Sequence, residues 1–153
     1  AFGLPLAPLV LRATLTATGT PQGSGGNIGP RPNLRSALPA LGVPRIALSG
    51  SFLPGTSYDV TLNGPAGALY ILFRSSSLLN VPFAIPPYGY LLLASPITRL
   101  GSGHLDGTGT AVYTNTLPGN SVPGTTFANF QGWQRYGGAG VGAFTNYAPL
   151  VVQ

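Results

Sequence analysis

The sequence contains no lysine, glutamate, cysteine or methionine, so side chains suited to catalysis are scarce. Acid–base and nucleophilic enzymes need clusters of titratable groups, and metal sites need several ligands. Apart from arginine and tyrosine, the titratable side chains are His104, Asp59 and Asp106. His104 and Asp106 are two positions apart, but two ligands do not complete a zinc or calcium site. We expect no enzymatic activity, cofactor or metal, and a turn role for Asp106.

Acidic residues are almost absent, and the formal net charge of +5 comes from seven arginines against two aspartates. Nucleic-acid-binding proteins cluster their cations on one face, whereas these arginines are dispersed. They are Arg12, Arg31, Arg35, Arg45, Arg74, Arg99 and Arg135. We therefore expect no nucleic-acid partner.

Long uninterrupted apolar runs are also missing. The longest apolar region, 67–95, is broken by Arg74 and by several prolines, so we expect no membrane span. Methionine and cysteine are the readily oxidised side chains, and their absence together with lysine suits a durable extracellular protein. A first residue Ala1 rather than methionine is what we expect of an exported chain whose signal peptide has been removed.

What the chain does contain is glycine and proline, 23 and 16 residues, which leave no window for a long helix. Short apolar or alternating runs lie between these residues and predict strands. We expect turns at 63–67, 86–87, 106–107 and 117–120. The sequence thus predicts an all-β fold, an antiparallel two-sheet β-sandwich of Greek-key or jelly-roll type, without significant helix. The predicted strands after residue 33 are 43–50, 56–63, 68–74, 88–94, 109–116, 125–135 and 141–152.

The clearest strand prediction is at residues 9–18, where apolar and polar side chains alternate. We divide the chain into an N-terminal extension (1–18), a Gly/Pro-rich linker (19–32) and a sandwich domain (33–153). The extension either pairs within its own subunit or protrudes and completes a neighbour's sheet as a donor strand. The second arrangement is head-to-tail and would produce a filament. The apolar row that would fill the neighbour's groove is Leu9, Leu11, Ala13, Leu15 and Ala17.

Aromatic residues near the C-terminus form a second candidate site. Trp133, Tyr136 and Tyr147 could stack on sugar rings, with Gln131, Gln134 and Asn146 nearby as amide partners. The competing interpretation places Trp133 in the packing of a sheet.

Four parts of the chain carry a resemblance: 19–26 with 32–34, 57–62 with 64–68, 105–111, and 130–136 with 144–146 and 150–152. They resemble a family of cysteine-poor or single-disulfide β-sandwich modules. These modules often form the C-terminal part of secreted proteins in planctomycete-type bacteria. The resemblance implies a secreted β-sandwich and no settled enzymatic role. The chain departs from the family in lacking cysteine in the entry segment and in having glycine at 137–138, where the family tends to carry Asp-Pro.

Together these features predict a secreted structural subunit that assembles with copies of itself into an extracellular filament or sheath. The alternative is a carbohydrate- or surface-binding module whose partner is an extracellular polysaccharide. A third interpretation is an inert accessory module cut from a larger protein.

Overall fold

The computed structural model describes residues 8–20, 31–33, 37, 43–136 and 141–153. The chain divides into two compact units, Ala1–Val43 and Pro44–Gln153. The division therefore follows Val43, whereas the sequence placed the start of the sandwich at residue 33. In the described part, one helix lies in the first unit and nine strands lie in the second. They are α1 (Pro8–Ala17), β1 (Arg45–Gly50), β2 (Ser57–Asn63), β3 (Leu69–Ser75), β4 (Leu78–Ile85), β5 (Gly89–Leu93), β6 (Thr98–His104), β7 (Thr110–Thr116), β8 (Thr126–Arg135) and β9 (Gly142–Val151).

The nine strands form two antiparallel sheets and a hairpin. One sheet has the order β1-β2-β7, the other has the order β6-β3-β8-β9, and β4 pairs with β5. The alternation of β2 shows why these residues form a sandwich: Tyr58, Val60 and Leu62 are buried, and the residues between them are half-buried. The all-β, antiparallel sandwich prediction is confirmed.

The core lies between the two sheets. Phe130 of β8 is fully buried and meets Tyr58 of β2, with ring centroids 6.0 Å apart. Leu72 of β3 and Leu150 of β9 are further core residues from the four-stranded sheet, with Ala128 and Ala148 beside them. Each fully buried side chain of this size contributes about 1.5–3 kcal/mol relative to an exposed one, so this interface is the main source of stability.

The predicted turn at Asp106 is confirmed, and its carboxylate organises the β6–β7 connection. Asp106 Oδ1 accepts hydrogen bonds from the Thr108 and Thr110 backbone N–H groups at 2.8 and 2.9 Å, and from the Thr108 hydroxyl. Gly109 has φ of +78° and packs against the Gly64 carbonyl, so no other residue fits there easily. The turn thus joins strands of different sheets.

The predicted N-terminal strand, residues 9–18, is wrong: the structure has the helix α1 over Pro8–Ala17. The threonines that indicated a strand instead donate their hydroxyls to carbonyls four residues back, including Thr14 to Val10 at 2.9 Å and Thr16 to Arg12 at 3.0 Å. Pro8 occupies the start of the helix, where its missing N–H is not needed.

The helix also rearranges the predicted assembly row Leu9, Leu11, Ala13, Leu15 and Ala17. Residues two apart lie on one face of a strand but about 200° apart around a helix, so the row is dispersed. Within the predicted linker, Thr20 and Arg31 form an isolated antiparallel bridge with two backbone hydrogen bonds of 3.0 Å. Residues 21–30 of that linker lie outside the described residues.

Candidate binding surface

The β4–β5 hairpin carries four of the exposed large hydrophobic residues of the sandwich unit, Leu78, Val81, Phe83 and Tyr90. Tyr88 N–H donates to the Ile85 carbonyl at 2.7 Å and closes the turn that follows β4. Gly89, with φ of +106°, starts the returning strand. The strands pair through Phe83 with Leu91 and again through Leu78 with Leu93, with an irregularity between these pairs. Pro82 lies in the irregular part, where it removes one backbone donor.

A buried glutamine holds this hairpin to the four-stranded sheet. Gln131 of β8 is 0% exposed. Its Oε1 accepts from Leu92 N–H at 2.9 Å, and its Nε2 donates to the Tyr90 carbonyl at 2.9 Å and to the Thr145 carbonyl at 3.1 Å. The side-chain amide thus acts like a peptide group of an additional strand and makes the contact between β5 and β8.

Two further contacts attach the hairpin beside Gln131. The Phe144 N–H of β9 donates to the Tyr88 carbonyl at 2.9 Å. The rings of Tyr88 and Trp133 meet edge to face, with centroids 5.7 Å apart and an interplanar angle of 83°. Such aromatic pairs contribute about 0.5–1.5 kcal/mol beyond the area that they bury. The turn end of the hairpin is therefore anchored to both β8 and β9.

Strand β4, in contrast, has β5 as its one ladder partner among the described strands. Six of its eight residues are exposed and the other two are half-buried. Val81 is 78% exposed and Phe83 is 62% exposed, while Tyr90 on β5 is 59% exposed. Because Tyr90 pairs with Ala84 and Phe83 pairs with Leu91, the Tyr90 and Phe83 side chains lie on opposite faces of the hairpin. We call Val81, Phe83 and the outer edge of β4 the hairpin surface.

The hairpin surface lies in an uncharged part of the chain. From Arg74 to Arg99, no residue between these two arginines is ionisable apart from tyrosine. An edge strand usually carries charged residues that oppose pairing with another chain. Pro82 and the irregular register are the features of β4 that oppose such pairing.

The three aromatic residues predicted as a glycan platform do not share one exposed surface. Trp133 is partly buried against Tyr88. Tyr136 is partly buried and packs against the core, and this burial raises the pKa of its hydroxyl. Tyr147 is the exposed member, at 41%. An aromatic stacking platform needs ring faces open to solvent, so this set is not arranged as one.

The amides predicted to assist sugar binding connect parts of the fold instead. Gln131 binds the hairpin, as described above. Gln134 is fully buried, and its Nε2 donates to the Asn63 carbonyl at 2.9 Å. Gly64 leaves room for that side chain, because a Cβ atom there would overlap Gln134 Oε1. Asn146 pairs with Ile46 of β1 through both backbone groups. The sequence pattern indicated hydrogen-bonding residues correctly but did not indicate their partners.

The three titratable residues singled out in the sequence are separated by the fold. Asp59 lies on β2 and accepts from the Thr114 hydroxyl at 2.7 Å. His104 lies at the end of β6, with Nδ1 3.0 Å from the Gly67 carbonyl. Asp106 is held in its turn, whose hydrogen bonds, led by that of Thr108, lower the pKa of its carboxyl group. Among the described residues, no three metal-ligating side chains come together.

Comparisons with known proteins provide little information about function. No protein-family model matches the chain, and no curated protein matches it in sequence. One solved structure aligns with it: Spo0M, a sporulation control protein from Bacillus subtilis, at 10% identity and a TM-score of 0.30. The alignment covers 72% of this chain and 49% of Spo0M, so the chain spans about half the length of that protein. The resemblance to planctomycete-type modules stays a prediction. In the described residues, no helix has the length and apolar character needed to cross a membrane.

Proposed function

We propose that this chain is a structural subunit that associates with copies of itself through the hairpin surface, in an extracellular filament or sheath. The observation that carries the proposal is the exposed, uncharged edge of β4. An edge strand of this kind is a template for pairing with another chain, and contiguous exposed apolar surface marks interaction sites.

The charge distribution favours self-association through apolar and backbone contacts. The two acids, Asp59 and Asp106, already accept hydrogen bonds from threonine hydroxyls within their own chain. The seven arginines of one copy therefore find few acidic groups on a second copy with which to form ion pairs. Because like charges repel, two copies approach most easily where neither carries charge. The uncharged stretch that contains the hairpin is such a region.

The extracellular setting is supported by composition. The chain has no cysteine or methionine to oxidise and no lysine for trypsin-like proteases to cleave after. Such a chain suits long residence outside the cell. The glycan-binding alternative has less support, because Trp133 packs against Tyr88 and Tyr136 packs against the core.

Charge placed on the hairpin surface tests the proposal. The full chain and the variants Val81→Asp and Phe83→Asp are compared by sedimentation velocity and negative-stain imaging over a range of concentrations. The matched control is Val112→Asp, an exposed valine on β7, 58% exposed against 78% for Val81.

We expect the hairpin variants to weaken self-association at least tenfold, because an aspartate that enters an apolar interface is desolvated without a partner. The control should change it less than threefold. A wild-type chain that remains monomeric at high concentration would contradict the proposal. So would an assembly that Val112→Asp disrupts and Val81→Asp leaves intact.

A further inference from the structure

We infer that residues 8–18 of one copy, helical in α1, add as an extended strand to the outer edge of β4 of a second copy. This inference rests on the proposed self-association and assigns its donor and its acceptor. Among the described residues, α1 is helical and β4 has β5 as its one ladder partner.

The helix α1 is poorly stabilised as a helix. It has ten residues, none of them buried, with no acidic residue in its first turn and no basic residue in its last. Isolated helices shorter than about 12–15 residues are marginal in water, and most helices gain their stability from a buried face. Leu9 is 79% exposed and Val10 is 51% exposed. Leu11 is 37% exposed, and Thr14 and Leu15 are half-buried, so extension of this segment gives up only partial burial.

The same residues are well suited to a strand. When the segment is extended, Leu9, Leu11, Ala13, Leu15 and Ala17 occupy one face, and Val10, Arg12 and the threonines occupy the other. Thr14, Thr16 and Thr18 are β-branched, which favours extended structure over helix. At about 3.3 Å per residue, ten residues are long enough to span the eight residues of β4.

The acceptor edge complements this segment in polarity and charge. Phe83 and Ile85 lie two positions apart in the regular part of β4 and share one face, so a neighbouring strand with an apolar face can form cross-strand pairs with them. Arg12 is the one charged residue of the donor and stands in its polar row. Pro82 interrupts the backbone ladder at one residue, so apolar side-chain contacts have to supply much of the binding.

Each copy carries one donor and one acceptor, which are different surfaces. Contacts of this kind are head-to-tail and continue from copy to copy unless a rotation closes them. The arrangement therefore extends the proposed function to a linear assembly in which each added copy presents a new β4 edge.

The first experiment is a substitution scan along the segment in the full chain, with sedimentation velocity as the measurement. Aspartate is placed singly at Leu9, Leu11, Ala13 and Leu15, and at Val10 and Thr14 as matched controls on the opposite row. If the segment binds as a strand, aspartate at each of the four test positions should weaken association at least tenfold. Aspartate at either control position should change the association constant less than threefold. A docked helix would instead show sensitivity at only one of the pairs Leu9/Ala13 or Leu11/Leu15, and that pattern would overturn the inference.

The second experiment is complementation between two full-length variants. One carries Leu11→Asp with Leu15→Asp and lacks a working donor; the other carries Val81→Asp with Phe83→Asp and lacks a working acceptor. Each alone should be monomeric, and their mixture should form a one-to-one heterodimer that does not grow. If hairpins instead pair with each other, the donor-defective chain will associate by itself and the mixture will form no such heterodimer.

A structural measurement completes the test. Solid-state NMR of the assembled chain with ¹³C-labelled threonine should give strand-type Cα and Cβ shifts for Thr14 and Thr16, and helical shifts would overturn the inference. The hairpin variants separate the two proposals. If they block association while the substitutions at Leu11 and Leu15 do not, hairpin association stands and the donor assignment is wrong. If neither set has an effect, both are wrong.

Discussion

The side chain of Asn146 pairs with the backbone of Ile46 as a neighbouring strand would. Asn146 Oδ1 accepts from Ile46 N–H at 2.9 Å, and Asn146 Nδ2 donates to the Ile46 carbonyl at 3.1 Å. Ile46 belongs to β1 in the three-stranded sheet, and Asn146 belongs to β9 in the four-stranded sheet. One amide therefore closes the side of the sandwich where β1 and β9 are edge strands, and it occupies backbone groups that another chain could otherwise bind.

Replacement of this amide should destabilise the fold. Asn146→Ala leaves the Ile46 N–H and carbonyl without a protein partner, and we expect a loss of about 2 kcal/mol in the free energy of unfolding. Asn146→Asp should cost at least as much, because its carboxylate faces the Ile46 carbonyl where a donor stood. Urea denaturation measures both. Asn120→Ala, an exposed asparagine in the β7–β8 connection, is the control and should stay within about 0.5 kcal/mol of wild type.

The role of Trp133 can be read from stability and polysaccharide retention together. Because its ring packs on Tyr88, we expect Trp133→Ala to lower the free energy of unfolding by about 2–4 kcal/mol. Tyr147→Ala, at an exposed position, should change it by less than about 0.5 kcal/mol. Affinity electrophoresis in polysaccharide gels is run in parallel. An unchanged melting temperature for Trp133→Ala combined with lost retention would support the glycan-binding alternative.

The buried hydroxyl of Tyr58 predicts sensitivity to alkali. Tyr58 is 2% exposed, its hydroxyl makes no hydrogen bond of good geometry, and burial raises its pKa above the ordinary value of 10.0 against the opposing effect of the nearby Arg74 and Asn115 side chains. Above that pH the unfolded chain loses this proton first, so the stability associated with Tyr58 falls as pH rises through the raised folded-state pKa. Tyr58→Phe should remove part of this dependence and leave the chain as stable as wild type, or more stable, at pH 7, because no desolvated hydroxyl remains.

Chemical denaturation between pH 7 and 11.5 measures this difference. Tyr136 also has a raised pKa, so Tyr136→Phe serves as the comparison and should remove a separate part of the alkaline decline. Identical pH profiles for wild type and Tyr58→Phe would contradict the prediction.

The Asp106 turn predicts a response at the acidic end. Its hydrogen bonds lower the pKa of the Asp106 carboxyl group below 3.8, so its contribution to stability is present above that pH and is lost as pH falls through the folded-state pKa. Asp106→Asn keeps an acceptor oxygen but removes the charge. We expect the variant to be less stable than wild type at pH 6 and the difference to shrink as pH falls below 3.8. A difference that is the same at pH 6 and at the lowest pH measured would contradict this account.

Local signals in the sequence predicted most of the sandwich. Seven strands were expected close to their observed positions because apolar runs stood between turn residues. Strands β4 and β6 were missed because Pro82 interrupts the first, and Gly101 with Gly103 weaken the second. Proline and glycine are tolerated in these two strands because β4 and β6 lie at the edges of their sheets. Which strands lie at an edge depends on the packed fold and cannot be read from the local sequence.

The sequence could not determine the conformation of residues 8–18 or the partners of the amides. Alternation of apolar and polar residues predicts a strand, but Leu11 and Leu15 are also spaced as neighbours on a helix. Gln131 and Asn146 were singled out as polar residues near Trp133. Their actual partners, Leu92 and Ile46, are 39 and 100 positions away, and only the packed fold brings them together.

Gln131 holds the hairpin through backbone groups, so the position of the hairpin does not depend on which side chains the hairpin carries. Gln131 binds the N–H of Leu92 and the carbonyl of Tyr90, groups that every residue except proline supplies. Exposed hairpin residues such as Val81 and Phe83 can therefore be exchanged without loss of this anchor or of the core between the sheets. During evolution such a surface can change its partner faster than the fold changes. For engineering, it is a place where a new recognition sequence can be inserted into an otherwise unaltered sandwich.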